Sequence, residues 1–104
     1  MKHNPEEYHQ YDHFKFETSS NIMFRELEDE SVILNLNDES YYSLNSTGMI
    51  IWNLLQTSPS LKEAFEAFKN QFEVESGKAS TDFHLLIHEL VEKQFGTLAK
   101  AQTP

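Results

Sequence analysis

Between Ile22 and Leu44 apolar and polar residues alternate with a period of two, and from there to about Val91 they recur with a period of three to four. The first rhythm predicts strands and the second predicts helices. Ile22 to Glu28 alternates sufficiently for a first strand. In Ser31 to Asn37, Val32, Leu34 and Leu36 share one face while Ile33 and Asn35 share the other, giving a second strand of good β-propensity. Tyr41 to Leu44 forms the third strand. Glu28-Asp29-Glu30 and Asn37-Asp38-Glu39-Ser40 are the intervening turns. Asn and Asp suit the second turn because they tolerate unusual backbone angles and bond locally. An antiparallel meander follows.

Three helices come next. The first opens at Asn45, Ser46 or Thr47, each able to cap exposed amides, and runs to about Gln56. Met49, Ile50, Ile51, Trp52, Leu54 and Leu55 leave it almost no polar face, so it belongs in the centre. The second begins with the capping box Ser60-Leu61-Lys62-Glu63, after Pro59 has ended the preceding structure. Leu61, Ala64, Phe65, Phe68 and Phe72 form its apolar stripe. The third is predicted to open at Ser80 or Thr81, with Asp82 at the positive end of the dipole, and to stop near Gly96 in a left-handed cap. Its inner face carries Phe83, Leu86, Ile87, Leu90 and Val91. Trp52 and Phe65 are read as core. The expected fold is α+β and winged helix-turn-helix-like: a three-stranded antiparallel sheet followed by three helices.

The ends lack this order. Residues 1–20 are polar and rich in His, Tyr and Glu, and read as a flexible arm with a short extended piece at Phe14-Lys15-Phe16. Residues 99–104 read as a disordered tail, leaving 21–98 as the folded domain.

Composition narrows the function. A length of 104 residues allows one modest core. Acidic residues outnumber basic ones 17 to 8, a net charge of −9, so nucleic acid is not an expected partner: cationic side chains are what displace counterions from phosphates. The third helix, with Asp82, Glu89 and Glu92 against Lys93, is a poor DNA-reading helix. There is no cysteine, which removes disulfides, thiolate metal sites and a cysteine nucleophile. No apolar signal core and no run of ~20 apolar residues is present, so a cytoplasmic protein with no membrane partner is expected.

Catalytic constellations are equally sparse. His84 and His88 stand four apart on a helix, a spacing that can chelate zinc, but His3, His9 and His13 sit on the arm. Metal sites draw three or four ligands from ordered elements, so no metal is expected. Glu28 and Glu30 occupy a turn with no apolar pocket to raise a carboxyl pKa. Three glycines provide no phosphate loop, and no cofactor is expected. Tyr41 and Tyr42 suit cross-strand packing better than base stacking. A binding module, not an enzyme, is the expectation.

The stretches Asn21-Ile22-Met23-Phe24-Arg25-Glu26-Leu27, Val32-Ile33-Leu34-Asn35-Leu36 and Tyr41-Tyr42-Ser43-Leu44-Asn45-Ser46-Thr47-Gly48-Met49-Ile50-Ile51-Trp52 resemble the PqqD-like family. Ser60 to Phe65 and Thr81 to Leu90 fit its second and third helices, so the resemblance covers roughly Ile22 to Leu98. Members are recognition elements for ribosomally made, post-translationally modified peptides. Two departures stand out. The turn before the third strand often holds Gly in the family and here reads Asp38-Glu39-Ser40. The basic, Pro-rich N-terminal lead-in of pyrroloquinoline quinone chaperones is missing, which favours the stand-alone proteins of lasso-peptide clusters.

The resemblance implies that a precursor's leader adds as an antiparallel strand to the third strand and lies in a groove beside the third helix. It also implies a processing enzyme on a separate chain, a leader protease being favoured. The alternatives are a peptide chaperone for a radical SAM enzyme and a winged-helix regulator acting through protein or DNA contacts. The physics of an edge strand supports strand addition, because unpaired amides and carbonyls accept an extended peptide. The candidate peptide-binding residues are Tyr41, Tyr42, Ser43, Leu44, Asp82, Leu85, Leu86, Glu89 and Lys93. Leu85 falls outside the core stripe; it is either an ordinary exposed Leu or part of an apolar floor with Tyr42, Leu44 and Leu86. Asp82 and Glu89 would attract a basic leader residue, the alternative for Asp82 being simply a helix N-terminal charge.

Overall fold

The computed structural model describes residues 11–71 and 76–100. Elements follow in the order β1 (Phe14–Thr18), β2 (Ile22–Glu26), β3 (Ser31–Asn35), β4 (Tyr41–Leu44), α1 (Ser46–Thr57), α2 (Leu61–Gln71), α3 (Ser76–Glu92) and β5 (Gly96–Lys100). The sheet β2-β3-β4 is antiparallel, with Ile33 facing Phe24 on one side and Tyr42 on the other. Three helices follow it, as the patterning predicts; the fold is α+β and winged helix-turn-helix-like.

The ends differ from the expected arm and tail. β1 pairs antiparallel with β5, Phe16 opposite Leu98, and Phe16 is buried. The extended piece expected at Phe14-Lys15-Phe16 is part of β1, whereas β5 lies where the end of a helix and a tail are expected; each strand is held by a partner about eighty residues away. Gly96, expected as a helix cap, instead opens β5. A Cβ there would lie 2.2 Å from Phe16 Cζ and 2.8 Å from the Glu17 carbonyl oxygen, so only glycine lets the two strands close. Residues 1–10 and 101–104, with His3 and His9, lie outside the described residues, as does Phe72.

The helix caps follow local chemistry. Asn45 accepts the Gly48 amide at 2.8 Å and starts α1. The Ser60 hydroxyl accepts the Glu63 amide at 3.3 Å, half of the expected capping box. α3 begins at Ser76, a turn earlier than predicted, because Ala79 and Ser80 are buried and tertiary packing outweighs the weak propensity of the Ser76-Gly77 start. At its other end Gln94 takes the left-handed conformation (φ 66°). The Phe95 amide bonds the Leu90 carbonyl and the Gln94 amide the Val91 carbonyl, closing a Schellman-type end with Phe95 buried.

The β3–β4 turn is organised by Asn35, whose buried Oδ1 accepts from Asn21 Nδ2 at 2.6 Å and the Asn37 amide at 2.9 Å. Glu39 occupies the turn with φ 62°, the backbone region that favours glycine. The Ser40 hydroxyl and amide both donate to Asp38 and hold its carboxyl below the usual range.

The core runs through Ile33 and Leu44 of the sheet, Ile51, Trp52 and Leu55 of α1, Leu61, Phe65 and Phe68 of α2, and Phe83, Ile87 and Leu90 of α3. Trp52 meets the edge of Phe16 and stacks parallel to Phe24 at 6.3 Å. On β3 the inward face is Ser31, Ile33 and Asn35, while Val32 and Leu34 are half-buried on the outer face and Leu36 is exposed. No helix among the described residues is long and apolar enough to cross a membrane.

Candidate functional site

β4 leads directly into α1, so it lies at one edge of its sheet with nothing paired beyond it among the described residues. Its residues alternate: Leu44 is buried and Tyr42 half-buried toward the helices, whereas Tyr41 and Ser43 face outward. α3 runs alongside the inward face. Between them is an open groove of ≈ 390 Å³ lined by Tyr42, Ser43, Leu44, Asn45, Thr47, Gly48, Ile51, Asp82, Leu85, Leu86 and Glu89.

Seven of the nine residues singled out in the sequence therefore line one groove. Tyr41 and Lys93 do not; they line a neighbouring depression with Asp38, Ser40, Glu92, Gln94 and Phe95. Tyr41 is 68 % exposed because β4's alternation turns it to the outer face. Lys93 lies one turn beyond Glu89, past the end of the helix. Asn45, Thr47, Gly48 and Ile51 were not singled out. Their signal was present in the capping segment, since a strand that runs straight into a helix places that helix's first turn beside the strand's end.

Within the groove, Leu85 is 41 % exposed and Leu86 is half-buried against the core. The Tyr42 hydroxyl donates to Glu89 Oε2, joining β4 to α3 across the groove. Burial pushes the Tyr42 phenol up to about 12, and the bond to Glu89 and its charge act in the same direction. Asp82 Oδ2 accepts from Lys78 Nζ at 3.3 Å, an exposed pair one turn apart on the helix. No cation lines the groove itself.

The His84/His88 pair separates in space. His84 is buried between Phe65 and Phe83, its Nδ1–H donating to the Ser80 carbonyl at 2.8 Å, while His88 is outside and contacts Glu92 at 2.9 Å. Among the described residues no three metal-ligating side chains come together. Among the described residues the groove combines an unpaired strand edge, an apolar floor and two carboxylates.

Two solved structures share this architecture. TbiB1, in complex with the TbiA(beta) leader peptide, is 24 % identical with a TM-score of 0.69, covering 77 % of this chain and 93 % of that one. A lasso peptide synthetase B1 complexed with the leader peptide gives the same identity and TM-score, covering 80 % of this chain and 98 % of the other. At that identity the likeness establishes the fold. No curated protein gives a significant match. Residues 30–95, well over half of the chain, match the family described as Coenzyme PQQ synthesis protein D (PqqD). The chain belongs to the PqqD family.

Proposed function

We propose that this protein is a non-catalytic recognition module that binds the leader segment of a ribosomally made precursor peptide. The leader adds as an antiparallel strand to β4 and lies in the groove against α3, and the module delivers it to a processing enzyme on a separate chain in the cytoplasm. The observation that carries this reading is the unpaired edge of β4 beside a groove with an apolar floor. The similar proteins, TbiB1 and the lasso peptide synthetase B1, are each complexed with a leader peptide, which supports the same ligand class here; the partner we propose is a leader protease. The family's description in coenzyme PQQ synthesis makes a chaperone for a radical SAM enzyme the runner-up. A catalytic role has no support in the groove: a phenol pushed up to about 12 is a poor acid or base near neutrality.

Two or three buried anchors at ~1.5–3 kcal/mol each, with backbone pairing, must offset ~2–5 kcal/mol for ordering the leader. A Kd between about micromolar and tens of nanomolar follows. Titration calorimetry with a synthetic peptide of the leader encoded beside this chain's gene tests it. Saturable binding in that range is the expected result. Absence of heat and of any spectral change at about 100 μM peptide, some hundredfold above that range, overturns the reading.

A further inference from the structure

The ladder's hydrogen-bond parity fixes how such a strand must sit. The Asn35 amide donates to the Ser40 carbonyl, and the β3–β4 register continues that pair to Ile33–Tyr42 and Ser31–Leu44. In an antiparallel ladder, hydrogen-bonded pairs alternate with pairs that are not. Tyr42 and Leu44 therefore direct their amides and carbonyls to β3, and Tyr41 and Ser43 direct theirs to the open edge. The same parity on β2 starts from the Leu36 amide on the Asn21 carbonyl and turns Ile22, Phe24 and Glu26 outward at the opposite edge.

Resting on the leader-binding reading, we propose that the four backbone groups of Tyr41 and Ser43 set the register of the bound peptide, and that its groove-facing anchors are two residues spaced i, i+2. Peptide residues paired with Tyr41 and Ser43 share their outward face. The residues opposite Tyr42 and Leu44 turn inward, about 6.6–6.8 Å apart along the strand. The anchor opposite Tyr42 meets Glu89, since the Tyr42 hydroxyl reaches that carboxylate, and it is cationic: the lining holds Asp82 and Glu89 and no positive group. The anchor opposite Leu44 is apolar, seated against Leu44 and Leu85. The substrate class is an extended segment with one apolar and one basic residue separated by a single outward residue.

Amide exchange by NMR on the full chain, free and with the synthetic leader peptide, reads the register directly. The Tyr41 and Ser43 amides should slow at least about tenfold on binding, while Tyr42 and Leu44, already paired, stay unchanged. Slowing at Ile22, Phe24 and Glu26 instead, or binding with no slowing at Tyr41 and Ser43, overturns the register while leaving leader binding intact. Failure of the peptide to bind at all overturns both. Ser43→Pro removes one outward amide without touching the β3 ladder, so it should weaken binding at least about tenfold, whereas Glu26→Pro at the other edge should not. Glu89→Lys should weaken the unaltered leader and bind better to a leader whose basic anchor is changed to Glu; no such reversal removes the cationic assignment.

Discussion

The two sides of α3 perform separate tasks. Phe83, Ile87 and Leu90 are almost fully buried and contact α2 and the rest of the core, with Phe65 5.3 Å from Phe83. One step around the same helix, Asp82, Leu85 and Glu89 face the groove and bear little on the core. A helix places i, i+4 and i+7 on one stripe, so a single element can hold the fold with one stripe and present a binding surface with the next. The helical side of the groove is therefore open to change: Asp82, Leu85 and Glu89 can be altered without dismantling the domain, whereas Leu44 and Ile51 in the same lining belong to the core.

Phe83→Ala attacks the inner side and should have the largest effect, about 3–5 kcal/mol off the unfolding free energy in urea. A loss below about 1 kcal/mol would show that this stripe does not carry the core. Leu85→Arg attacks the outer side. Leader affinity should fall at least about tenfold, near 1.4 kcal/mol, with the urea midpoint nearly unmoved. Unaltered affinity by calorimetry means the peptide does not use this side of the helix.

The Tyr42–Glu89 bond ties the outer side of α3 to β4. A phenol whose pKa is raised on folding stabilises the fold fully below its unfolded value near 10 and loses that contribution as pH climbs to about 12. In Glu89→Gln the bond to a carboxylate and its charge are gone, so absorbance titration should show Tyr42 ionising at lower pH than in the unaltered chain. Burial alone would still keep it above the ordinary phenol value. The smallest change belongs to Asp82→Asn, which removes the exposed Lys78 pair; stability should move by less than about 0.5 kcal/mol. A larger loss would place Asp82 with the inner side.

Much of this could be read from the residues. The period-two segments became β2, β3 and β4, the Asn45 and Ser60 caps started α1 and α2, and Leu85 lay outside the core stripe as the helical spacing required. These features are local: caps, turns and periodicity act over three or four residues. Seven of the nine candidate residues share a groove for the same reason, since they are consecutive on a strand or regularly spaced on a helix. The exceptions are instructive. The Tyr41 side chain turns outward by alternation while its backbone stays at the β4 edge, and Lys93 follows the last residue of α3, Glu92.

Local signals also left β3 ambiguous. Its alternation was plain, and three apolar residues on one face against Ile33 and Asn35 on the other gave no sign that the sparser face is the buried one. That choice belongs to α1, which lays Trp52 and Ile51 into the core with Ile33, where small Ser31 and hydrogen-bonded Asn35 fit.

Local signals along the chain suffice for the strands β2 to β4, the presence of three helices and the starts of α1 and α2. Long-range packing decides that β1 and β5 pair, that Gly96 allows their close approach in place of capping a helix, and that β4 has no strand beyond it among the described residues. The physical reason is sequence separation: those features depend on backbone groups brought together from some eighty residues apart or, for the bare edge, on which strand the helices leave uncovered.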